Sequence, residues 1–145
     1  MKTPKTEFVA KALVINEKNE ALILKVGLYP ARPDKSFKPD LPGGMVDPGE
    51  TELAAIAREL YEEAGIQADQ NSFKLIYVKT EFSPRSHTSV TKFLYVIHLE
   101  NVPEITISWE HASYKWVPLD ILLSTVELRP FYKEAIEYVF EHKLF

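Results

Sequence analysis

The chain has 145 residues, 46% hydrophobic and 26% charged, which suits a single domain over 1–145 able to bury a core without a disulfide or structural metal. It contains no cysteine, which excludes a thiol nucleophile and a zinc–thiolate site and agrees with a reducing, cytoplasmic setting. A net charge of −4 argues against a stable nucleic-acid partner, and neither a signal-type apolar stretch nor a run of about 20 apolar residues points to a membrane.

Phe8 to Ile15 reads as a strand, Asn16 to Glu20 as a polar turn, and Ala21 to Val26 as a second strand that closes a hairpin. Gly27 to Leu41, with Pro30, Pro33 and Pro39 and no periodicity, reads as a long loop of the kind that often carries function. Thr51 to Ala64 is the clearest helix: Thr51 caps its start, Gly65 ends it, and Leu53, Ala57, Leu60, Tyr61 and Ala64 form the expected inner face. Phe73 to Phe82 and Val90 to Leu99 are β-rich and flank the polar loop Ser83 to Ser89, and Ser113 to Val117 reads as a short strand. Pro130 suits the first turn of a closing helix to about His142, with Phe131, Ala135, Tyr138 and Val139 inward. The result is an α/β chain with a mixed sheet and two main helices.

The chemistry concentrates in the first of those helices. Glu59, Glu62 and Glu63 stand at i, i+3 and i+4 and so share one face, which the spacing turns away from the apolar arc. They also crowd the C-terminal half of the helix, where each carboxylate opposes the macrodipole at a cost of about 0.3–1 kcal/mol. A pair of glutamates alone would be an ordinary solvated face. Three, following the glycine turn Pro42-Gly43-Gly44, suit a hard divalent cation with oxygen ligands, such as Mg²⁺ or Mn²⁺.

Gly44, Glu50, Arg58, Glu59, Leu60, Glu62, Glu63, Gly65 and Ile66 together match G-x5-E-x7-R-E-U-x-E-E-x-G-U, with U aliphatic, at every position. The segment thereby resembles the Nudix box, and the order of elements around it is similar to the Nudix α/β/α sandwich with a central mixed sheet. The resemblance implies hydrolysis of a phosphoanhydride bond in a nucleoside diphosphate linked to another group. Nucleoside triphosphates, ADP-ribose, dinucleoside polyphosphates and nucleotide sugars all belong to that class. It further implies metal binding by Glu59, Glu62 and Glu63 with the Gly43 carbonyl, a base among Glu62 and Glu63, and Glu50–Arg58 as a supporting ion pair, with Gly44 shaping the turn.

Outside the box, Ser108-Trp109-Glu110-His111 resembles a family stretch in which a loop glutamate reaches the metal site, making Glu110 a second candidate base. His111 reads as structural or exposed. Arg32, Lys35 and Lys38 flank Phe37 in the long loop, where they can meet substrate phosphates while Phe37 stacks on a base; a plain solvated loop is the competing reading. Tyr77, Phe82 and Tyr95 read mostly as core. The expected partner is a small nucleotide derivative, and the expected assembly a monomer or homodimer. A non-catalytic nucleotide-sensing module of the same fold is the rival. The isomerases that share the fold are disfavoured by the missing cysteine, and no P-loop occurs.

Overall fold

The apolar run that begins at Phe8 becomes the middle of the molecule. In the computed structural model, which describes residues 2–102 and 104–145, strand β1 spans Lys5–Ile15 and is buried from Ala10 onward on both of its faces. Such two-sided burial requires a covering layer on each side. Ala10, Ala12 and Val14 pack toward helix α1 (Glu52–Ala64), while Leu13 and Ile15 pack toward helix α3 (Pro130–Glu141).

Strands β2 (Glu20–Val26), β3 (Pro39–Asp40), β4 (Gly43–Met45), β5 (Lys74–Ser83), β6 (Thr88–His98) and β7 (His111–Pro118) complete the sheet. The order is β3-β2-β1-β6-β5, with β4 on β1 and β7 on β2. β1 and β6 run parallel, from Lys5 opposite Thr88 to Ile15 opposite His98; every other pairing is antiparallel. The architecture is α/β, a mixed sheet between helices.

Several expectations need correction. The β1–β2 hairpin is paired only at Ile15 and Ala21; β2 takes most of its partners from β7, and β4 occupies the edge of β1 that a full hairpin would have used. The loop from Gly27 holds a 3-10 turn at Pro33–Lys35 and strand β3, and a four-residue helix α2 (Leu122–Thr125) precedes α3. Helix α1 is capped as expected, Thr51 Oγ1 accepting the Ala54 N–H and Gly65 taking left-handed φ 72. Its inner face is rotated, however: Ala55, Ile56, Leu60, Glu63 and Ala64 are buried, whereas Tyr61 is 60% exposed. On α3, Tyr132 and Ile136 join Phe131, Ala135 and Val139 inside, and Tyr138 lies on the surface.

Candidate active site

The rotation of α1 brings Glu63 in among the core residues. It is only 5% exposed, and its Oε2 accepts the Gly43 N–H at 2.7 Å. Burial pushes its carboxyl up to about 7, partly opposed by Lys11 and the Gly43 hydrogen bond. The expectation that all three glutamates face away from the core therefore holds only for the others. Glu62 is exposed; Glu59 is half-buried, and burial, tempered by Arg58, raises its pKa as well.

Strand β4 fixes the backbone opposite these carboxylates. Gly43 has φ +135, and a Cβ there would lie 2.1 Å from the Ala10 carbonyl of β1, so only glycine lets the two strands close. At Gly44 a Cβ would meet Glu59 Oε1 at 2.8 Å: the missing side chain is the cradle in which that carboxylate lies.

Arg58 organises the outer carboxylates. It grips Glu50 with Nε and Nη2 at 2.8 and 2.9 Å, and its Nη1 donates to Glu59 at 3.0 Å and Glu62 at 3.2 Å. The forked geometry needs a guanidinium, which a lysine cannot imitate. The Arg58 contact holds the Glu50 carboxyl down at about 2.

Among the described residues, no three His, Asp or Glu side chains converge into a finished metal cage. Arg58 stands between Glu59 and Glu62, Glu63 turns to a backbone N–H, and the expected Gly43 carbonyl ligand accepts the Lys11 ammonium at 3.0 Å. The donor set nevertheless fits a hard cation. It is all oxygen, two of its carboxylates are held partly or wholly out of water, and one lies in a cradle that any side chain on Gly44 would fill.

The sequence reading missed the buried polar cluster behind this turn. Asp40, at the end of β3, receives Lys11 Nζ at 3.2 Å, Arg129 Nη2 at 2.8 Å and the Tyr132 hydroxyl at 3.2 Å, with His111 Nε2 at 3.5 Å. Burial would pull Lys11 down, but the charges of Asp40, Tyr132 and Glu63 outweigh it and hold the ammonium above its ordinary value. Burial likewise opposes ionisation of Asp40, and Lys11, His111 and Arg129 keep it well below the usual carboxylate range. The one signal available beforehand was Lys11 itself, a charge inside an apolar strand.

A pocket of about 470 Å³ opens beside this turn, lined by Lys11, Asp40, Gly43, Glu63, Glu110 and His111, with Gly27 to Tyr29 and Trp109 at its sides. Glu110 therefore shares a pocket with Glu63, on a loop tied to the Gly27 strand end by the Gly27 N–H to Glu110 O bond of 2.9 Å. His111 is buried. Leu28 is 72%, Tyr29 47% and Trp109 90% exposed, an apolar rim over a charged floor.

Arg32, Phe37 and Lys38 do not line that pocket. Arg32 is paired with Asp34 in solvent, Lys38 is exposed, and Phe37 lines a separate cavity of about 310 Å³ with Tyr114 and Lys115. Lys35 does not line that pocket either; burial first, and then the charges of Arg32 and Arg129, lower its pKa. Tyr95 is core as expected, while Phe82 is half-exposed and stands edge-on to His87.

The NUDIX domain family model matches residues 5–139. The chain is 31% identical over 116 residues to the asymmetrical bis(5'-nucleosyl)-tetraphosphatase of Caenorhabditis elegans, covering 77% of this chain and 79% of that one. It is 32% identical over 108 residues to a putative 8-oxo-dGTP diphosphatase of Bacillus subtilis (strain 168), covering 74% of this chain and 64% of the relative. Among solved structures, the MutT protein from Methanosarcina mazei Go1 superposes with a TM-score of 0.79 at 27% identity, over 99% of each chain. A C. elegans Ap4A hydrolase complex superposes with a TM-score of 0.65 at 26% identity, over 94% of this chain and 97% of the other. A central mixed sheet with a glutamate helix docked on a glycine turn is thus the frame of a phosphoanhydride hydrolase. The chain belongs to the Nudix family.

Proposed function

We propose that this protein is a divalent-metal-dependent pyrophosphohydrolase of nucleotides. The observation that carries the reading is the docking of Glu59 and Glu63 on Gly43–Gly44, where two desolvated carboxylates meet an exposed third, Glu62. Glu59, Glu62 and Glu63 would hold Mg²⁺ or Mn²⁺. When bound, the cation supplies Lewis acidity toward phosphoryl oxygens and neutralises charge on the leaving phosphate.

The chain's own residues account for the rest. Glu50 fixes Arg58, and Arg58 holds Glu59 and Glu62 side by side, so the pair acts as scaffolding. Lys11 sets the orientation of the Gly43 carbonyl. Glu110, exposed on its loop and facing the same pocket as Glu63, is placed to accept a proton from an attacking water. The apolar rim of Leu28, Tyr29 and Trp109 suits a base or ribose, with phosphates directed to the charged floor.

The names borne by the relatives make dinucleoside polyphosphates and nucleoside triphosphates the first substrates to try. The reading extends to a cytoplasmic enzyme acting as a monomer or homodimer, which light scattering checks directly. The decisive experiment is a panel of nucleotide derivatives with Mg²⁺ or Mn²⁺ and products read by mass, with Glu62→Gln as control. Turnover by wild type and its loss in the variant is the expected outcome. Absence of turnover across the panel would favour a nucleotide-sensing module.

A further inference from the structure

Strand β5 ends the strand order of the sheet. It pairs with β6 along one edge and, among the described residues, with no strand along the other. No turn or loop takes up the main chain of Lys74–Ser83 either, so alternate N–H and C=O groups are offered outward. Folded proteins usually blunt such an edge with a bulge or a lysine. The bulge of β5 lies near its start, between Leu75 and Tyr77, and leaves Tyr77 to Ser83 in unbroken register with β6. The lysine of that straight segment, Lys79, is drawn onto α3, where Glu134 takes its ammonium at 2.6 Å.

The two faces of the straight segment differ. Val78 and Phe82 lie on the α1 side, opposite Phe93 and Ser89 of β6, and are 45% and 50% exposed. Thr80 stands between them, exposed, with its hydroxyl 2.8 Å from that of Thr91. Tyr77, Lys79 and Glu81 lie on the α3 side. Lys79 faces Glu134 and Glu81. Glu81 forms no salt bridge among the described residues; the cations facing it are Lys79 and, diagonally across the ladder, Lys92. The edge thus displays apolar side chains on one face and one charge of each sign on the other.

We infer that the free edge of β5 is a dimerisation surface that receives β5 of a second copy of this chain, antiparallel, about a two-fold axis at Thr80. The axis falls at the middle of the straight segment, so every residue from Tyr77 to Ser83 finds a counterpart. Residues directly opposite in an antiparallel pair share a face. Val78 then meets the partner's Phe82 on the α1 side, and Lys79 meets the partner's Glu81 on the α3 side, each contact made twice by symmetry. The neighbouring registers are penalised: an axis at Lys79 sets lysine against lysine, and one at Glu81 sets glutamate against glutamate. This charge match to itself selects a second copy over an unrelated strand. The contact is isologous, so each copy covers the other's free edge and assembly through β5 stops at two. Nothing in the pairing depends on hydrolysis.

Sedimentation velocity of the full chain should show a dimer at about 100 µM that dissociates on dilution. Thr80→Lys sets two ammonium groups against each other at the axis and should leave a monomer, with circular dichroism showing the fold retained. Glu81→Lys should weaken dimerisation about tenfold, and mixing it with Lys79→Glu should restore it, because each variant supplies the charge that the other lacks. The chain has no cysteine, so an introduced one reports the register directly. Under mild oxidation Thr80→Cys should cross-link to its own copy. Val78→Cys should not, since its counterpart lies four residues, about 13 Å, further along the strand. A wild type that stays monomeric at that concentration, a Thr80→Lys dimer as tight as wild type, or cross-linking of Val78→Cys equal to that of Thr80→Cys would overturn the assignment.

Discussion

Replacing Glu63 by glutamine should make the metal-free protein more stable at about pH 8, the reverse of what deleting a buried hydrogen-bonded carboxylate usually does. The carboxyl is 5% exposed, and burial raises it from 4.5 to about 7. A folded pKa above the unfolded one means that the native state holds its proton longer. The ionisation cost is therefore absent below about pH 4.5, grows as pH rises, and is complete somewhat above pH 7. At 1.36 kcal/mol per pH unit it amounts to about 3 kcal/mol. Glutamine keeps an oxygen for the Gly43 N–H and carries no charge, so near pH 8 in EDTA it should melt higher by about 6–12 °C for a chain of this length. Near pH 4.5 the two proteins should melt together. Saturating Mg²⁺ should favour wild type, by about 2.7 kcal/mol at a hundredfold excess over Kd. Scanning calorimetry across pH, with and without metal, measures all of this. A variant that melts at or below wild type at alkaline pH in EDTA would refute the claim that burial outweighs Lys11 and the Gly43 hydrogen bond at Glu63.

The two glycines of β4 should separate by mechanism. Gly43→Ala, at φ +135 and against the Ala10 backbone, should cost about 3 kcal/mol or more in chemical denaturation. Gly44→Ala meets only the mobile end of Glu59, so it should fold normally and lower affinity for Mn²⁺ by titration. Trp109→Ala should raise KM and spare kcat, and the quenching of tryptophan fluorescence by bound nucleotide should vanish with it, since Trp116 is largely covered.

What could be read from the chain and what could not divides along sequence distance. Helix α1 was legible because its caps, Thr51 and Gly65, are local signals that the structure uses as expected. The acidic half of the site was legible because Gly43 through Glu63 are nearly contiguous. Its rotation was hidden: Tyr61 and Glu63 stand at opposite edges of the apolar arc, and it is the glutamate edge that meets Gly43 of β4 and Lys11 of β1. The Asp40 cluster draws on β1, β3, β7 and α3, and no periodicity joins Lys11 to Arg129. Phe37 could be read as a stacking residue or as part of a solvated loop; after the turn at Pro33–Lys35 it lies against Lys25 of β2, beside Tyr114 and Lys115 of β7.

The pairing of β1 has a consequence for how the molecule is made. Its acidic flank needs only β1, β4 and α1, and all three have been synthesised once Ala64 is in place. Its parallel partner, β6, begins at Thr88, and Arg129 comes later still. Long-range parallel pairing is slow because the intervening chain must be closed before any contact rewards it. The glutamates thus gather on the nascent chain well before Lys92 and Arg129 are made. During that interval only Arg58 and Lys11 offset the gathered carboxylates, and a divalent cation would add to the charge that steadies them.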